Sequence, residues 1–369
     1  MTTTTRSLGD LLADRSLAVV AGSGGVGKTT VSAALGLAAT QHLEGDVLVL
    51  TIDPARRLAA ALGIDISGND AVRVPGSGTS TSRLFAAMLD PGPAWDSMVV
   101  SQAAPDDAAR ILANPVYRRI ADTFVHGNDY AALAWLDEAI ASDEYRLIIV
   151  DTPPSQNALD FFDAPARVSE FFGSSLLVWL TGGDGSFVGG AAAKSFASLA
   201  DRLLGAEFFA DVVEFFQLMN KVVPGMVDRT STVAADLAGD DAAFIAVTAP
   251  SDDVVLKLEG LAESLATRDL TFDGLVVNGV EPEVFWNPKV HDVAERVLAN
   301  RKSPISASGT SLLGPGAEYV VERCEVANEQ RRVLAKLPAS TVTTIPRLVH
   351  SPTDVEGLQA IGELLWLGA

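Results

Sequence analysis

The chain has 369 residues, 48% of them hydrophobic, and a formal net charge of -20. That much apolar material allows a large buried core, in one large or two modest domains, while the acidic balance argues against a nucleic-acid partner, whose polyanionic backbone rewards a basic face. A single cysteine, Cys324, excludes a disulfide framework and any CxxC zinc or iron–sulfur site.

The N-terminal MTTTTRSLGD has no apolar stretch of the kind a secretory leader carries. Its polarity predicts that residues 1–10 are flexible. No run of about 18 apolar residues is present to span a bilayer. These features predict a cytoplasmic protein without a transmembrane segment, though a peripheral membrane role stays open.

Short apolar runs then recur along the chain. They are LAVVAG (17–22), DVLVLTID (46–53), YRLIIVD (145–151), AAFIAVTAP (242–250), FDGLVVNGV (272–280) and STVTTIP (340–346). Near-continuous Val/Ile/Leu runs without polar alternation suit a parallel sheet buried on both faces. Alternation with helical patterns implies right-handed βαβ crossovers, so the expected fold class is α/β with a doubly wound, mainly parallel sheet. Ligands on such sheets sit at the carboxyl ends of strands, where Gly22, Asp53, Asp151, Pro250, Asn278 and Pro346 fall. Residues 91–142 and 165–240 read as helical insertions forming a subdomain of a single 1–369 domain. The Ser/Gly/Pro content of 303–316 predicts a flexible loop.

Between the first run and the next helical pattern lies AGSGGVGKTT. Gly22-Ser23-Gly24-Gly25-Val26-Gly27-Lys28-Thr29 satisfies GxxxxGK[ST], and Thr30 continues into the helix. Glycines let successive backbone N–H groups turn inward around phosphates, and the following helix adds the positive end of its dipole. In this motif Lys28 reaches the β- and γ-phosphates of ATP and the Thr29 hydroxyl ligates Mg2+. Gly22, Gly24 and Gly27 also spell GxGxxG with Asp53 ending the next run, the fingerprint of a dinucleotide-dependent oxidoreductase. A glycine-rich turn with no ligand is the third reading. Lysine followed by a hydroxyl favours the triphosphate, since a dinucleotide turn needs neither.

Two acidic strand ends complete this reading. Phosphoryl transfer needs a metal, a cationic cradle and a group that orients water. Asp151, in RLIIVDTPPSQ, suits the shell of the metal; Asp53, in VLTIDPARR, suits the attacking water and the metal's surroundings. Either aspartate alone would also serve as a helix N-cap after a strand. His126 and His350 read as loop residues.

In the second insertion, FFADVVEFFQLMNKVV places Phe208, Val212, Phe215, Met219 and Val222 near helical spacing, with Phe209, Val213 and Phe216 beside them. Such a face forms either a groove for a hydrophobic client helix or a core helix of the subdomain.

The ordered set GGVGKTT, TIDPARRL, FAAMLDPGPAWD, IIVDTPPSQNALDFFDAPARV, VTAPSDDVVLKLEGL, VVNGV and IPRLVHSPTDVEGLQAIGELL resembles the anion-transporting ATPase family, over essentially residues 15–365. That family comprises the arsenite-pump ATPase and the ATPase that guides tail-anchored membrane proteins. The reading DTPPS at the second switch is similar to a bacterial branch. The resemblance implies a deviant phosphate-loop ATPase that dimerises across its ATP sites. It also implies a water-activating aspartate at Asp53, a second switch over Asp151–Gln156 and an adenine-reading asparagine at Asn278. Pro346 is a candidate for the adenine pocket. Three departures stand out: the family's extra loop lysine, which crosses to the partner's phosphates, is Ser23 here; the CxxC zinc clamp that the tail-anchored branch often uses at its dimer interface is missing; and Cys324 alone cannot form the soft thiolate cluster that arsenite needs. Ser23 therefore raises a second possibility beside a homodimer, a weakly active nucleotide-binding subunit paired with a lysine-bearing paralogue.

Overall fold

Eight strands, β1 (Leu17–Ala21), β2 (Asp46–Thr51), β3 (Val72–Arg73), β4 (Leu84–Met88), β5 (Tyr145–Asp151), β6 (Ala242–Thr248), β7 (Gly274–Val280) and β8 (Val342–Pro346), form one sheet in this computed structural model. Their order is β3-β4-β2-β5-β1-β6-β7-β8, with β3 antiparallel to β4 and every other pair parallel. The structure describes residues 7–52, 57–66, 69–123, 127–153, 160–172, 206–268, 270–300, 307–337, 342–348, 352 and 354–368. The six expected strands are all present. β3 and β4 are additional, extending the sheet past β2 at one edge.

Strand side chains alternate between two cores, as the period of a pleated strand requires. Leu17, Val19, Leu48, Leu50, Ile148 and Val150 face one side; Ala18, Val20, Val47, Val49, Leu147 and Ile149 face the other. The second side is covered by helices α1 (Leu8–Leu12) and α2 (Lys28–His42) and by the C-terminal helix Val355–Leu367. The first is covered by helices Pro91–Gln102, Pro105–Ala113, Pro115–Thr123 and Gly127–Ala141, together with Ala164–Phe172 and Ala206–Leu237. Both faces are thereby removed from water, which is why the central strands read as unbroken apolar runs.

Proline opens three of the four helices between Pro91 and Ala141, at a position where its missing N–H would be unpaired anyway. Pro224 sits inside the helix Ala206–Leu237 and does not end it. That helix carries the aromatic stretch, and it resolves the choice between groove and core. Phe215 is 1% exposed, Met219 1%, Val222 2% and Phe216 6%, while Phe208 and Val212 pack partly buried against the same cluster. Tyr117 and Phe172 flank Phe215. The face is core.

Two loop expectations need correction. Residues 7–10 are ordered, because Ser7 and Asp10 form a reciprocal capping box at 3.0 and 3.2 Å and the leucines of α1 bury beside Trp366; residues 1–6 lie outside the described residues. Residues 307–316 form the first turns of the helix Ala307–Leu334, with Pro315 inside it, so Ser/Gly/Pro content there does not mark a loop. Residues 303–306 lie outside the described residues, as do 173–205 of the second insertion, His126 and His350.

Truncating a fully buried aromatic removes its transfer energy and leaves a cavity. Phe215→Ala should cost roughly 3–5 kcal/mol in urea unfolding. A loss below about 1 kcal/mol would mean that this face is open to solvent rather than core.

Candidate functional site

The loop between β1 and α2 is shaped by two close approaches. A Cβ on Gly22 would stand 2.1 Å from the carbonyl oxygen of Val247 in β6, so the chain can leave β1 here only without a side chain. Gly27 has φ +96°, and a Cβ there would also lie 2.3 Å from Nδ2 of Asn278. The left-handed turn at Gly27 aims the next residues into α2, which begins at Lys28 with no acidic residue in its first turn. The positive end of that helix therefore faces the loop without an opposing carboxylate of its own.

Lys28 is 6% exposed, and its Nζ donates to the carbonyls of Gly22 at 2.8 Å and Ser23 at 3.1 Å. Its ammonium thus closes the loop from inside. Gly24 and Gly25 are exposed at the turn, and Val26 is buried. The Val26 carbonyl accepts from Nδ2 of Asn278 at 2.8 Å, so a β7 side chain clamps the loop backbone. Pro346, at the end of β8, pairs with Val280, bringing Asn278 and Pro346 to neighbouring strand ends.

Asp151 ends β5 with no solvent exposure. Its Oδ2 accepts from the Thr29 hydroxyl at 2.7 Å and the Thr51 hydroxyl at 3.0 Å. A carboxylate is costly to bury unless hydrogen-bonded, and these donors tie the first turn of α2 and the end of β2 to one acidic group. Thr51 has no part in the motif reading. Its signal was faint: a hydroxyl two residues before Asp53 in an otherwise apolar run. Thr152 follows, with its hydroxyl donating to Val20 O at 2.8 Å and pinning the chain after β5 to β1. Asp53 lies outside the described residues, as do residues 154–156 of the expected second switch.

Gly25, Gly27, Lys28, Thr29, Thr30 and Thr152 line a cleft of about 190 Å³, and Arg57 and Ala61 of helix α3 (Arg57–Leu62) line it too. The glycine-walled bend, the inward cation and a hydroxyl on a buried carboxylate fit a phosphate group with a hard cation such as Mg2+. Soft-ligand chemistry is poorly served: Cys324 is buried, and burial pushes its thiol pKa up.

A parallel sheet that presents such a loop beside a strand-end carboxylate at its carboxyl edge is the fold of the phosphate-loop nucleoside triphosphatases. Comparison with known sequences narrows the class. The chain belongs to the anion-transporting ATPase family, whose sequence profile matches residues 16–302, and it is an ATPase of that family. It is 28% identical over 282 residues to ATPase ARSA2 of Chlamydomonas reinhardtii, covering 75% of this chain and 72% of the relative. A match of 25% over 296 residues to ATPase GET3 of Phaeosphaeria nodorum covers 77% and 80%. The similarity to ATPase get3 of Schizosaccharomyces pombe is 31% over 154 residues, less than half of either chain at 42% and 44%. No helix among the described residues is long and apolar enough to cross a membrane.

Gly27→Ala would strain the left-handed backbone and push Asn278 off the loop, with a backbone cost of about 1–3 kcal/mol. Binding of a fluorescent adenine nucleotide should weaken at least tenfold, with the fold retained by circular dichroism. Unchanged binding would remove the loop from the site.

Proposed function

We propose that the chain binds ATP with Mg2+ at this loop and hydrolyses it to ADP and phosphate. In this reading, nucleotide state then controls association with a protein client. The observation that carries the reading is the 2.7 Å hydrogen bond from Thr29 to Asp151, which joins the phosphate loop to the strand-end carboxylate. Gly22, Ser23, Gly24, Gly25, Val26 and Gly27 cradle the phosphates with Thr30, and Lys28 neutralises the bridging and terminal oxygens. Thr29 and Asp151 would hold the metal. The metal, when bound, withdraws charge from the phosphate oxygens during transfer. Asp53 orients the attacking water, and Asn278 and Pro346 border the base.

A dimer formed across the ATP sites is part of this reading, in a cytoplasmic setting. The whole chain acts as one ATPase domain with its helices between β4 and β6 as a client-facing subdomain. Support for coupling comes from β5: Ile148 and Val150 pack in the same core as those helices, and the strand ends in Asp151. Ser23 favours one variant of the reading, a heterodimer in which an unlike partner brings the missing loop lysine.

Lys28→Ala should lower ATP turnover at least about 100-fold, since electrostatic stabilisation is the main term in phosphoryl transfer. Turnover equal to wild type would sink the assignment. Sedimentation with a non-hydrolysable ATP analogue should show association that ADP does not support. A monomer under both conditions would contradict the homodimer, and the heterodimer then requires rescue by an added paralogue.

A further inference from the structure

The cleft holds a cation that the motif does not include. Arg57 and Ala61, one helical turn apart on the same face of α3, line it together with Gly25, Gly27, Lys28 and Thr30. Among the described residues lining the cleft, Lys28 and Arg57 are the only cations. They differ in placement. Lys28 is buried and held by two carbonyls of its own loop, whereas Arg57, at the start of α3, is exposed. Ser23, whose carbonyl is the second acceptor of Lys28, brings no charge.

A single ammonium at the back of the loop leaves the terminal phosphate under-neutralised as charge spreads over its oxygens in transfer. A guanidinium presents several donors in a plane and matches phosphate oxygens two at a time. We propose that Arg57 is a terminal-phosphate ligand, supplied by the same chain that supplies the loop, and that it discriminates nucleoside triphosphate from diphosphate. The inference rests on the ATPase reading of the cleft and goes one residue beyond it.

The test is nucleotide binding, not turnover. Titration calorimetry would compare Mg2+-ATPγS and Mg2+-ADP on wild type, Arg57→Ala, Arg57→Lys and Lys28→Ala. Arg57→Ala should weaken ATPγS about 10- to 100-fold, the value of a charge-assisted hydrogen bond or two, while ADP stays within about threefold. Arg57→Lys, which keeps a point charge on the same helix, should fall between. Equal weakening of both nucleotides, or of neither, would overturn the assignment of Arg57 while leaving the ATPase reading in place. If wild type binds no nucleotide, or Lys28→Ala binds both as tightly as wild type, the cleft is not an ATP site and the inference falls with it.

Discussion

Asp151 carries a carboxylate to the end of a central strand and into a place that water does not reach. Such a group is tolerated where hydrogen-bond donors surround it, and an unpaired one would cost several kcal/mol. Its Oδ2 accepts from hydroxyls of two separate elements, Thr29 on α2 and Thr51 on β2. These two bonds fix the first turn of α2, and with it the phosphate loop, relative to β2 and β5. The strand order makes this possible by setting β5 between β2 and β1, so that the loop leaving β1 falls beside Asp151.

The remaining contacts tighten the same corner. Thr152 binds Val20 O, Asn278 binds Val26 O, and Lys28 closes the loop on its own carbonyls. Strands from both halves of the sheet thus grip a loop whose glycines leave no side chains in the way. Because both faces of the sheet are covered by helices, the carboxyl edge is where a polar ligand can enter.

Much of this was legible in the sequence, and the exceptions have physical causes. Six strands announced themselves because burial on both faces demands unbroken apolar runs. β4 has such a run, but Leu84–Met88 is rich in alanine and sits before a helical pattern, where helix and strand look alike. β3 is two residues long and half exposed at the edge, so it carries no pattern at all. Helix Ala307–Leu334 hid behind glycine, serine and proline in its first turns, where local composition argues for a loop and tertiary packing decides otherwise. The phosphate loop was readable because its chemistry is contiguous. Thr51 and Asp151 are 100 residues apart and Asn278 and Val26 are 252 apart, so their hydrogen bonds arise from strand order, which a local motif does not encode. Arg57 shows the same limit: its place in the cleft depends on how α3 packs against α2 and β4.

The central claim is that one cleft, built on Asp151 and Thr29, holds a magnesium-bound nucleoside triphosphate. The most direct measurement is isothermal titration of the full chain with ATP and with NAD, each with and without Mg2+, alongside Asp151→Asn. The account predicts one ATP per chain, affinity that rises with Mg2+ in wild type but not in the variant, and no NAD binding. NAD binding that ignores Mg2+, or ATP affinity equally dependent on Mg2+ in wild type and Asp151→Asn, would contradict it.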